Sequence, residues 1–280
     1  MLAYRHLFHA GNFADVFKHA LLARLLLALT KKDAPFCYLD THAGTGRYDL
    51  SHAWAQQHAE FRDGIGRLWE RRDAPAMLAP YLEAVRAENP DGRLRFYPGS
   101  PRIAQRLLRP GDRLVLSELN KTDCAALGGR FADDRRATVH LMDGYHSLSA
   151  HLPPAERRGL VLVDSSFDRS GEFARVAHAL ATAHRRFATG VYAIWYPLME
   201  PHAMRAFDRD IVATGLSKVL QLELGVRAED WTLGLRGCGL LVVNPPFGFE
   251  AEARPLLEWL WPVLAHGGAG GQRVRWLVPE

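Results

Sequence analysis

Three acidic residues, Glu118, Asp143 and Asp164, each stand at the end of a short apolar segment. Short apolar segments bounded by turn residues are typical of buried strands. The carboxyl ends of parallel strands meet at one edge of a sheet, where ligands bind, so we expect these three side chains to lie close together. In that order, Glu118 suits the hydroxyl groups of a ribose, and Asp143 suits the exocyclic amine of an adenine.

A glycine turn precedes these acids in the chain. The apolar run over residues 36–40 ends at Asp40 and is followed by a turn that contains Gly44 and Gly46. Glycine has no β-carbon, so the backbone adopts positive φ angles easily and can approach a ligand closely. The spacing is only G-x-G, an incomplete dinucleotide fingerprint. Taken alone, an ordinary structural turn explains the two glycines equally well.

The glycine turn and the acids together discriminate between cofactors. A dehydrogenase would use the turn and Glu118 as well, but it would need a fuller G-x-G-x-x-G and no aspartate at position 164. S-adenosylmethionine carries a cationic sulfonium and no pyrophosphate, so acids near the glycine turn are tolerated. The pattern therefore favours a methyltransferase that uses S-adenosylmethionine over an NAD-type dehydrogenase.

Four histidines occur before residue 43, at positions 6, 9, 19 and 42. Such a density raises a metal site as an alternative, but no H-x-x-x-H or H-E-x-x-H spacing puts two of these rings on one helical face. We therefore expect no metal. His19 falls in a predicted helix over residues 13–29, where a half-buried histidine and a site residue are both open interpretations.

The composition is that of a globular chain. Its 280 residues are 48% hydrophobic and 24% charged, which is enough for one large core or a core with a sub-domain. The net charge of +4 and the pI near 9.1 permit a polyanionic partner without requiring one. Cys37, Cys124 and Cys238 have no paired spacing, which argues for a reducing compartment. No segment approaches the ~18 apolar residues of a membrane span, and we expect a cytoplasmic monomer.

The elements that would position these residues alternate along the chain. Seven strands are predicted, at residues 36–40, 113–118, 137–142, 159–164, 189–196, 218–224 and 239–243, with helices between most of them. This alternation indicates an α/β fold with a mostly parallel sheet. Residues 48–89 instead show helical periodicity and no strand pattern, which predicts an inserted small helical sub-domain. The predicted division is therefore 1–47, 48–96 and 97–280, with the insertion in the middle.

Long ungapped motifs cover much of the chain, at residues 4–19, 39–46, 97–101, 157–164, 186–197 and 276–280. These motifs resemble those of the RlmJ methyltransferases, which modify the exocyclic amino nitrogen (N6) of one adenine in 23S ribosomal RNA. The resemblance extends nearly from end to end and is far more specific than the glycine turn. It implies a Rossmann-like class I methyltransferase sheet with a helical insertion. It also implies S-adenosylmethionine as cofactor and 23S ribosomal RNA, protein-free or in early assembly, as substrate.

The resemblance also implies roles for individual residues. Contacts to the cofactor are implied for His19, His42, Ser100, Glu118, Asp143, Gly144 and Asp164. Tyr4, His6 and Lys18 are implied to face the RNA. Asp164 is the implied catalytic residue, acting on an adenine that is flipped out of the RNA.

The chain departs from the family at one motif. The family has D-P-P-Y after the fourth strand, whereas this chain has Asp164-Ser165-Ser166-Phe167. Asp164 and the Ser165 carbonyl still accept the amine hydrogens and Phe167 still stacks on the base, so the nitrogen lone pair can attack the methyl group in line. Without the two fixed φ angles of proline, ordering the loop costs about 1 kcal/mol per residue. We expect slower turnover; the alternative is a catalytically weakened or inactive nucleic-acid-binding protein that handles external DNA.

A second motif, Asn244-Pro245-Pro246-Phe247, fits the general N-P-P-F signature of amine methylation better than the Asp164 segment does. It follows the last predicted strand, which in this fold runs antiparallel to its neighbours, so its end should point away from the cofactor edge. The family also has N-P-P at this position. We therefore interpret Asn244 as part of a structural turn, with a catalytic role for it as the alternative.

Overall fold

The computed structural model describes residues 5–280, so Tyr4 and its implied role lie outside the described residues. The strands in chain order are β1 (Cys37–Asp40), β2 (Arg47–Asp49), β3 (Phe96–Pro98), β4 (Arg113–Glu118), β5 (Ala137–Leu141), β6 (Gly159–Val163), β7 (Val191–Pro197), β8 (Val219–Gly225), β9 (Gly237–Val243) and β10 (Gly271–Val278). The helices are α1 (Phe13–Thr30), α2 (Ala53–His58), α3 (Gly66–Trp69), α4 (Ala79–Ala87), α5 (Ser100–Leu107), α6 (Lys121–Phe131), α7 (Gly144–His151), α8 (Glu172–Arg186), α9 (Pro201–Ala213) and α10 (Phe249–Leu264).

One large sheet dominates residues 5–280, with the strand order β10-β8-β9-β7-β6-β1-β4-β5. Strand β1 pairs in parallel with β4 on one side and with β6 on the other, and β5 and β7 continue the parallel arrangement outward. Strand β9 is antiparallel to β7 and β8. The carboxyl ends of β1, β4, β5, β6 and β7 therefore lie at one edge of the sheet, which we call the carboxyl edge, and β9 ends at the opposite edge.

The predicted α/β fold with a mostly parallel sheet is confirmed, but the predicted number of seven strands is wrong. The sheet of the described residues has eight strands, because β10 pairs antiparallel with β8 at one end of the sheet. Within β10 only Val274 is buried. An edge strand with one buried side chain lacks the apolar run that predicts an internal strand, so the sequence pattern gave no signal for it.

The order in which the chain adds strands to the sheet reverses at β1. From β1 the chain moves to β4 and β5 on one side, and then returns to β6 and β7 on the other. Such a reversal leaves a crevice at the carboxyl ends of the central strands, because the connections on the two sides diverge. The crevice here lies between the ends of β1, β4 and β6.

Helix α1 is buried along most of its length and lies against the sheet between α5 and α10. Apolar residues occur all round it, as is typical of a helix inside a core. The predicted helix over residues 13–29 is thus confirmed. Asn12 precedes the helix and caps it, because its side chain accepts the N–H of Asp15 at 3.0 Å. Its first turns bring Asp15, Lys18 and His19 to the carboxyl edge.

The segment between β1 and β4 contains α2, α3 and α4, as the helical periodicity of residues 48–89 predicts. It also contains the short antiparallel pair β2 and β3, in which Tyr48 lies opposite Tyr97. Strands of three residues are too short to give a period-two pattern, so the sequence did not indicate them. Ile65 and Tyr81 are fully buried in the same apolar cluster as α1. The division into 1–47, 48–96 and 97–280 stays a prediction.

The second face of the sheet is covered by α7, α8 and α9, whose apolar side chains form a separate cluster. Helices α8 and α9 are among those expected between the predicted strands, and both are confirmed. The two layers of helices leave the carboxyl edge of the sheet open. Among residues 5–280, no helix is both long and apolar enough to cross a membrane.

Candidate active site

A cavity of about 440 Å³ opens at the carboxyl edge. Its lining includes nine of the residues for which the sequence predicted a part in binding the cofactor, in binding the RNA or in catalysis: His6, Lys18, His19, His42, Ser100, Glu118, Asp143, Asp164 and Phe167. Gly144 directly follows Asp143 as the first residue of α7. The ends of β4, β5 and β6 thus bring Glu118, Asp143 and Asp164 to one cavity, as the pattern of acids after apolar segments predicted.

Asp164 follows β6 and is paired with a lysine from α1. Its Oδ2 accepts a hydrogen bond from Lys18 Nζ at 2.5 Å, and Lys18 also donates to Asp15 Oδ1 at 2.9 Å. The side chains of Lys18, Asp15 and Asp164 are 4%, 2% and 15% exposed. One ammonium group therefore bridges two carboxylates away from bulk water, where charge-assisted hydrogen bonds are strong.

The charges in this network hold each other in place. Burial disfavours the ammonium of Lys18, but Asp15 and Asp164 outweigh it and hold the pKa of Lys18 well above its usual value. Burial likewise disfavours the carboxylate of Asp15, yet His6 and Lys18 hold the pKa of Asp15 well below its usual value. His6 Nε2 lies 3.0 Å from Asp15 Oδ2. The position of Asp164 is thus fixed by a charged lysine whose own position is fixed by α1.

His19 is 1% exposed and lies one residue beyond Lys18 on α1. Its Nδ1 is 2.8 Å from the hydroxyl of Tyr97, which in turn is 3.0 Å from the hydroxyl of Tyr81. Burial lowers the pKa of His19 well below its usual value and so favours the neutral ring. The two interpretations left open by the sequence are therefore both compatible with the structure, since His19 is buried and also lines the cavity.

The glycine turn after β1 is held by Glu118. Gly44 donates its N–H to Glu118 Oε2 at 2.9 Å, and Asn120 donates its N–H to Oε1 at 2.7 Å. Gly44 has φ +60°, and a β-carbon there would lie 2.2 Å from the hydroxyl of Tyr48. Burial raises the pKa of Glu118. The turn therefore requires glycine, and the carboxylate at the end of β4 orders it while facing the cavity.

Asp143 caps α7 and binds an arginine. Its Oδ1 accepts the N–H groups of Tyr145 and His146 at 3.0 and 3.1 Å, and its Oδ2 accepts Arg175 at 3.1 Å. A β-carbon on Gly144 would lie 2.4 Å from the carbonyl oxygen of Thr41. The Asp143-Gly144 pair thus lets α7 begin directly against the glycine turn, because no larger residue fits at position 144.

His42 and Ser100 complete the wall near β1. His42 Nδ1 lies 2.8 Å from the hydroxyl of Thr41, and burial lowers the pKa of the His42 ring. Ser100 donates to Asp40 Oδ2 at 2.7 Å, and Tyr38 donates to the same oxygen at 2.8 Å. Asp40 is fully buried at the end of β1, and burial raises its pKa to about 6.

Several residues with a part in this geometry were not assigned a role from the sequence. Asp40 carries the signal that indicated the other acids, since it also ends an apolar strand. Asp15 lies within one helical turn of Lys18, a spacing that predicts an ion pair. Glu172 and Arg175 on α8 had no local signal, because their partners lie in other elements.

The chain was compared with known proteins. A family model described as "RsmJ: Ribosomal RNA large subunit methyltransferase D, RlmJ" matches residues 33–278. The chain belongs to this family. Two proteins named ribosomal RNA large subunit methyltransferase J, from Escherichia coli and Haemophilus influenzae, are 44% and 42% identical to it, and each match covers the whole of both chains. The resemblance to the RlmJ methyltransferases is confirmed.

The fold is shared with a crystal structure, that of protein LPL1258 from Legionella pneumophila. The two chains superpose with a TM-score of 0.87 at 36% identity, over 95% of this chain and 97% of that chain. The two proteins therefore share the same overall fold.

The segment in which this chain departs from the RlmJ motif lies at the mouth of the cavity. Phe167 has φ +50°, and its ring centroid is 4.8 Å from that of Phe173 and 6.0 Å from that of Trp195. Ser165 is 5% exposed and donates its hydroxyl to Glu172 Oε1 at 2.5 Å. A buried hydrogen bond thus holds the position at which the RlmJ motif has its first proline.

The N-P-P-F segment, which the RlmJ family shares as N-P-P, lies away from the cavity. Val243 at the end of β9 pairs with Tyr192 at the beginning of β7, so Asn244 lies at the edge opposite Asp164. Its Nδ2 donates to the carbonyl oxygens of Ala188 and Gly190, both at 2.8 Å. Asn244 closes a turn in the structure, as its position after an antiparallel strand predicted.

Residues 5–280 contain no group of three or more His, Cys, Asp or Glu side chains arranged to hold a metal ion. Cys37, Cys124 and Cys238 are all free thiols.

Proposed function

We propose that this protein transfers a methyl group from S-adenosylmethionine to the N6 nitrogen of an adenine in 23S ribosomal RNA. One observation carries the proposal. The carboxylate of Asp164 stands at the carboxyl end of β6, fixed by Lys18 at 2.5 Å, in the same cavity as Glu118, Asp143 and the glycine turn. The names of the Escherichia coli and Haemophilus influenzae relatives support the substrate class.

The cavity fits the proposed cofactor by its chemistry. Its wall is rich in carboxylates, which suits a cationic sulfonium and would repel a pyrophosphate. We assign cofactor binding to His19, His42, Ser100, Glu118, Asp143, Gly144 and Asp164. When bound, S-adenosylmethionine supplies an electrophilic methyl group.

The protein's own part in the reaction is to hold the adenine amine. Oδ2 of Asp164 is engaged by Lys18, and no donor among residues 5–280 binds Oδ1. We propose that Oδ1 and the main-chain carbonyl of Ser165 accept the two amine hydrogens, while Phe167 stacks on the flipped base. Accepting both hydrogens draws the nitrogen lone pair out of conjugation with the ring, and Oδ1 is placed to take the proton that leaves afterwards.

Contact with the RNA is assigned to Tyr4 and His6, whereas Lys18 is assigned an indirect part through Asp164. Since the Lys18 ammonium is buried between Asp15 and Asp164, its role is to orient the catalytic carboxylate at the flipped base. The net charge of +4 supports a polyanionic partner. We further propose that the protein acts as a monomer in the cytoplasm and without a metal.

The test is methyl transfer from radiolabelled S-adenosylmethionine to protein-free 23S ribosomal RNA, followed by nuclease digestion and mass spectrometry of the nucleosides. We expect N6-methyladenosine at one position, and weaker binding as salt rises, because phosphate contacts release counterions. RNA that stays unmethylated, or is methylated on another base, would contradict the proposal. The alternative, a weakened or inactive nucleic-acid-binding protein that handles external DNA, has no support among the relatives, whose names are those of methyltransferases.

A further inference from the structure

Glu172 is the first residue of α8 and is 5% exposed. Two hydroxyl groups donate to the same oxygen of its side chain. Ser165 Oγ and Tyr145 Oη each lie 2.5 Å from Glu172 Oε1. Within residues 5–280, no Lys, Arg or His side chain forms an ion pair with Glu172. A buried carboxylate is costly to desolvate unless its hydrogen bonds are well made, so this arrangement points to a role in fixing geometry.

The two donors come from the two walls of the cavity. Ser165 follows Asp164 directly, so the hydrogen bond of its hydroxyl restrains the backbone next to the catalytic carboxylate. Tyr145 lies on α7. The guanidinium of Arg175 lies over its ring, with Cζ 4.2 Å from the ring centroid, and also donates a hydrogen bond to Asp143. One carboxylate therefore connects the wall assigned to the target adenine with the wall assigned to the cofactor.

The rest of the segment between β6 and α8 has weaker support. The Ser166 hydroxyl donates to its neighbour Asp168 at 2.6 Å in an exposed position. Phe167 adopts a left-handed backbone conformation, which costs energy for a residue with a side chain. Lys18 holds Asp164 at the start of the segment, and Ser165 is the point at which a buried side-chain hydrogen bond ties the residues after Asp164 to the core of the protein.

We propose that Glu172 is the positioning residue for the catalytic segment of this chain. It supplies by hydrogen bonding the order that the prolines of the D-P-P-Y motif supply by their fixed φ angles. Its hydrogen bond to the Ser165 hydroxyl orients the Asp164 carboxylate and the Ser165 carbonyl towards the target amine. Its hydrogen bond to Tyr145 fixes the position of these groups relative to the wall assigned to the cofactor. The inference rests on the proposed methyltransferase function.

The first test compares Glu172→Ala with Glu172→Gln under saturating cofactor and RNA. Alanine removes both hydrogen bonds, whereas glutamine keeps a carbonyl oxygen that accepts them. We expect Glu172→Ala to lower kcat by about 10- to 100-fold with KM values within threefold, since a loss of orientation acts on the reacting complex. Glu172→Gln should recover most of the rate.

Proline gives a sharper test, because it orders the segment without the hydrogen bond. If Glu172 acts through Ser165, Ser165→Pro added to Glu172→Ala should restore kcat to within about threefold of the wild-type value. Ser165→Ala and Glu172→Ala should also be non-additive, with the double variant no slower than Glu172→Ala alone. Independent effects that multiply, or no restoration by proline, would overturn the proposal.

Glu156→Ala is the matched control. Glu156 binds Arg113 at 2.7 Å at the opposite edge of the sheet, so its loss lowers stability without reaching the cavity. We expect it to leave kcat unchanged. A similar fall in kcat for Glu156→Ala and Glu172→Ala would mean that Glu172 is merely structural.

Hydrogen exchange separates this inference from the proposed function. Amide protection in residues 165–171 should fall in Glu172→Ala and Ser165→Ala but not in Glu156→Ala, whether or not the RNA is a substrate. An inactive wild-type protein that shows this pattern would refute the proposed reaction and leave the anchoring role standing. An active wild-type protein with unchanged protection in Glu172→Ala would refute the anchoring role.

Discussion

Two segments that directly follow strands of the same sheet each consist of an Asp or Asn, two further residues and a phenylalanine. Residues 244–247 have the two prolines of an amine-methylation motif, and residues 164–167 have two serines in their place. Judged by letters alone, the first segment is the better candidate. In the structure, residues 164–167 line the cavity, whereas residues 244–247 follow β9 at the opposite edge of the sheet.

The direction of the preceding strand makes the difference. Strand β6 runs parallel to β1 and ends at the carboxyl edge, whereas β9 runs antiparallel to β7. Asp164 therefore meets the Lys18 ammonium, and Asn244 meets the carbonyls of Ala188 and Gly190. The same short motif therefore has a different chemical environment at each edge of the sheet, because the edge determines which charged and polar groups surround it.

The largest effect is expected at Asp164. Asp164→Ala should lower kcat about 10²- to 10⁴-fold, the range for loss of an acid–base group, because the target amine loses its acceptor. Methyl incorporation into protein-free 23S ribosomal RNA measures it. Adding Asn244→Asp to Asp164→Ala transfers the carboxylate to the other segment and should restore nothing. Any recovery of activity by that second change would contradict the claim that only the segment at the carboxyl edge can take part in the reaction.

The next largest effect is expected at Lys18, whose ammonium binds Asp164 and has no counterpart at Asn244 among residues 5–280. Lys18→Met leaves two carboxylates in the interior without their ammonium partner, so we expect the free energy of unfolding to fall by about 3–5 kcal/mol. Urea denaturation followed by tryptophan fluorescence measures it. Lys31→Met is the control, because Lys31 is 63% exposed and its contact with Glu252 is a surface ion pair, worth about 1 kcal/mol or less. Equal losses for the two variants would contradict the network.

The carboxyl edge should also make stability depend on pH. Asp40 has a folded-state pKa of about 6, raised by burial, against about 3.9 in the unfolded chain. The folded state therefore binds this proton more tightly, and stability is lost as pH rises from about 4 through 6. Asp40→Asn lacks this titration, so its free energy of unfolding relative to the wild type should rise by about 3 kcal/mol between about pH 4 and pH 7. A pH-independent difference between the two proteins would refute the shifted pKa.

The smallest effect is expected at Asn244. Asn244→Ala removes two hydrogen bonds and puts alanine at φ +53°, which together should cost about 1–3 kcal/mol of stability. Because an amide does not titrate, the loss should be the same at every pH, in contrast to Asp40→Asn. The value of kcat should stay within twofold of wild type. A tenfold fall in kcat for the folded variant would make the far edge part of the reaction.

The sequence by itself determined the strands at whose carboxyl ends Glu118, Asp143 and Asp164 lie, helix α1, and family membership through its long motifs. Apolar periodicity and turn residues are local properties, so they can be recognised along the chain without knowing how it folds. The parallel direction of these strands then follows from the helices between them, and the meeting of their acids at one edge follows from that direction.

Only the tertiary structure decided the contacts that give those acids their properties. Lys18 and Asp164 are 146 residues apart, and no local pattern pairs them. The hydrogen bonds of Ser165 and Tyr145 to Glu172 join three elements that meet only when α7 and α8 pack on the same face of the sheet. The sequence showed that two prolines were missing, whereas the hydrogen bonds proposed to take their place depend on neighbours in space that only the fold brings together.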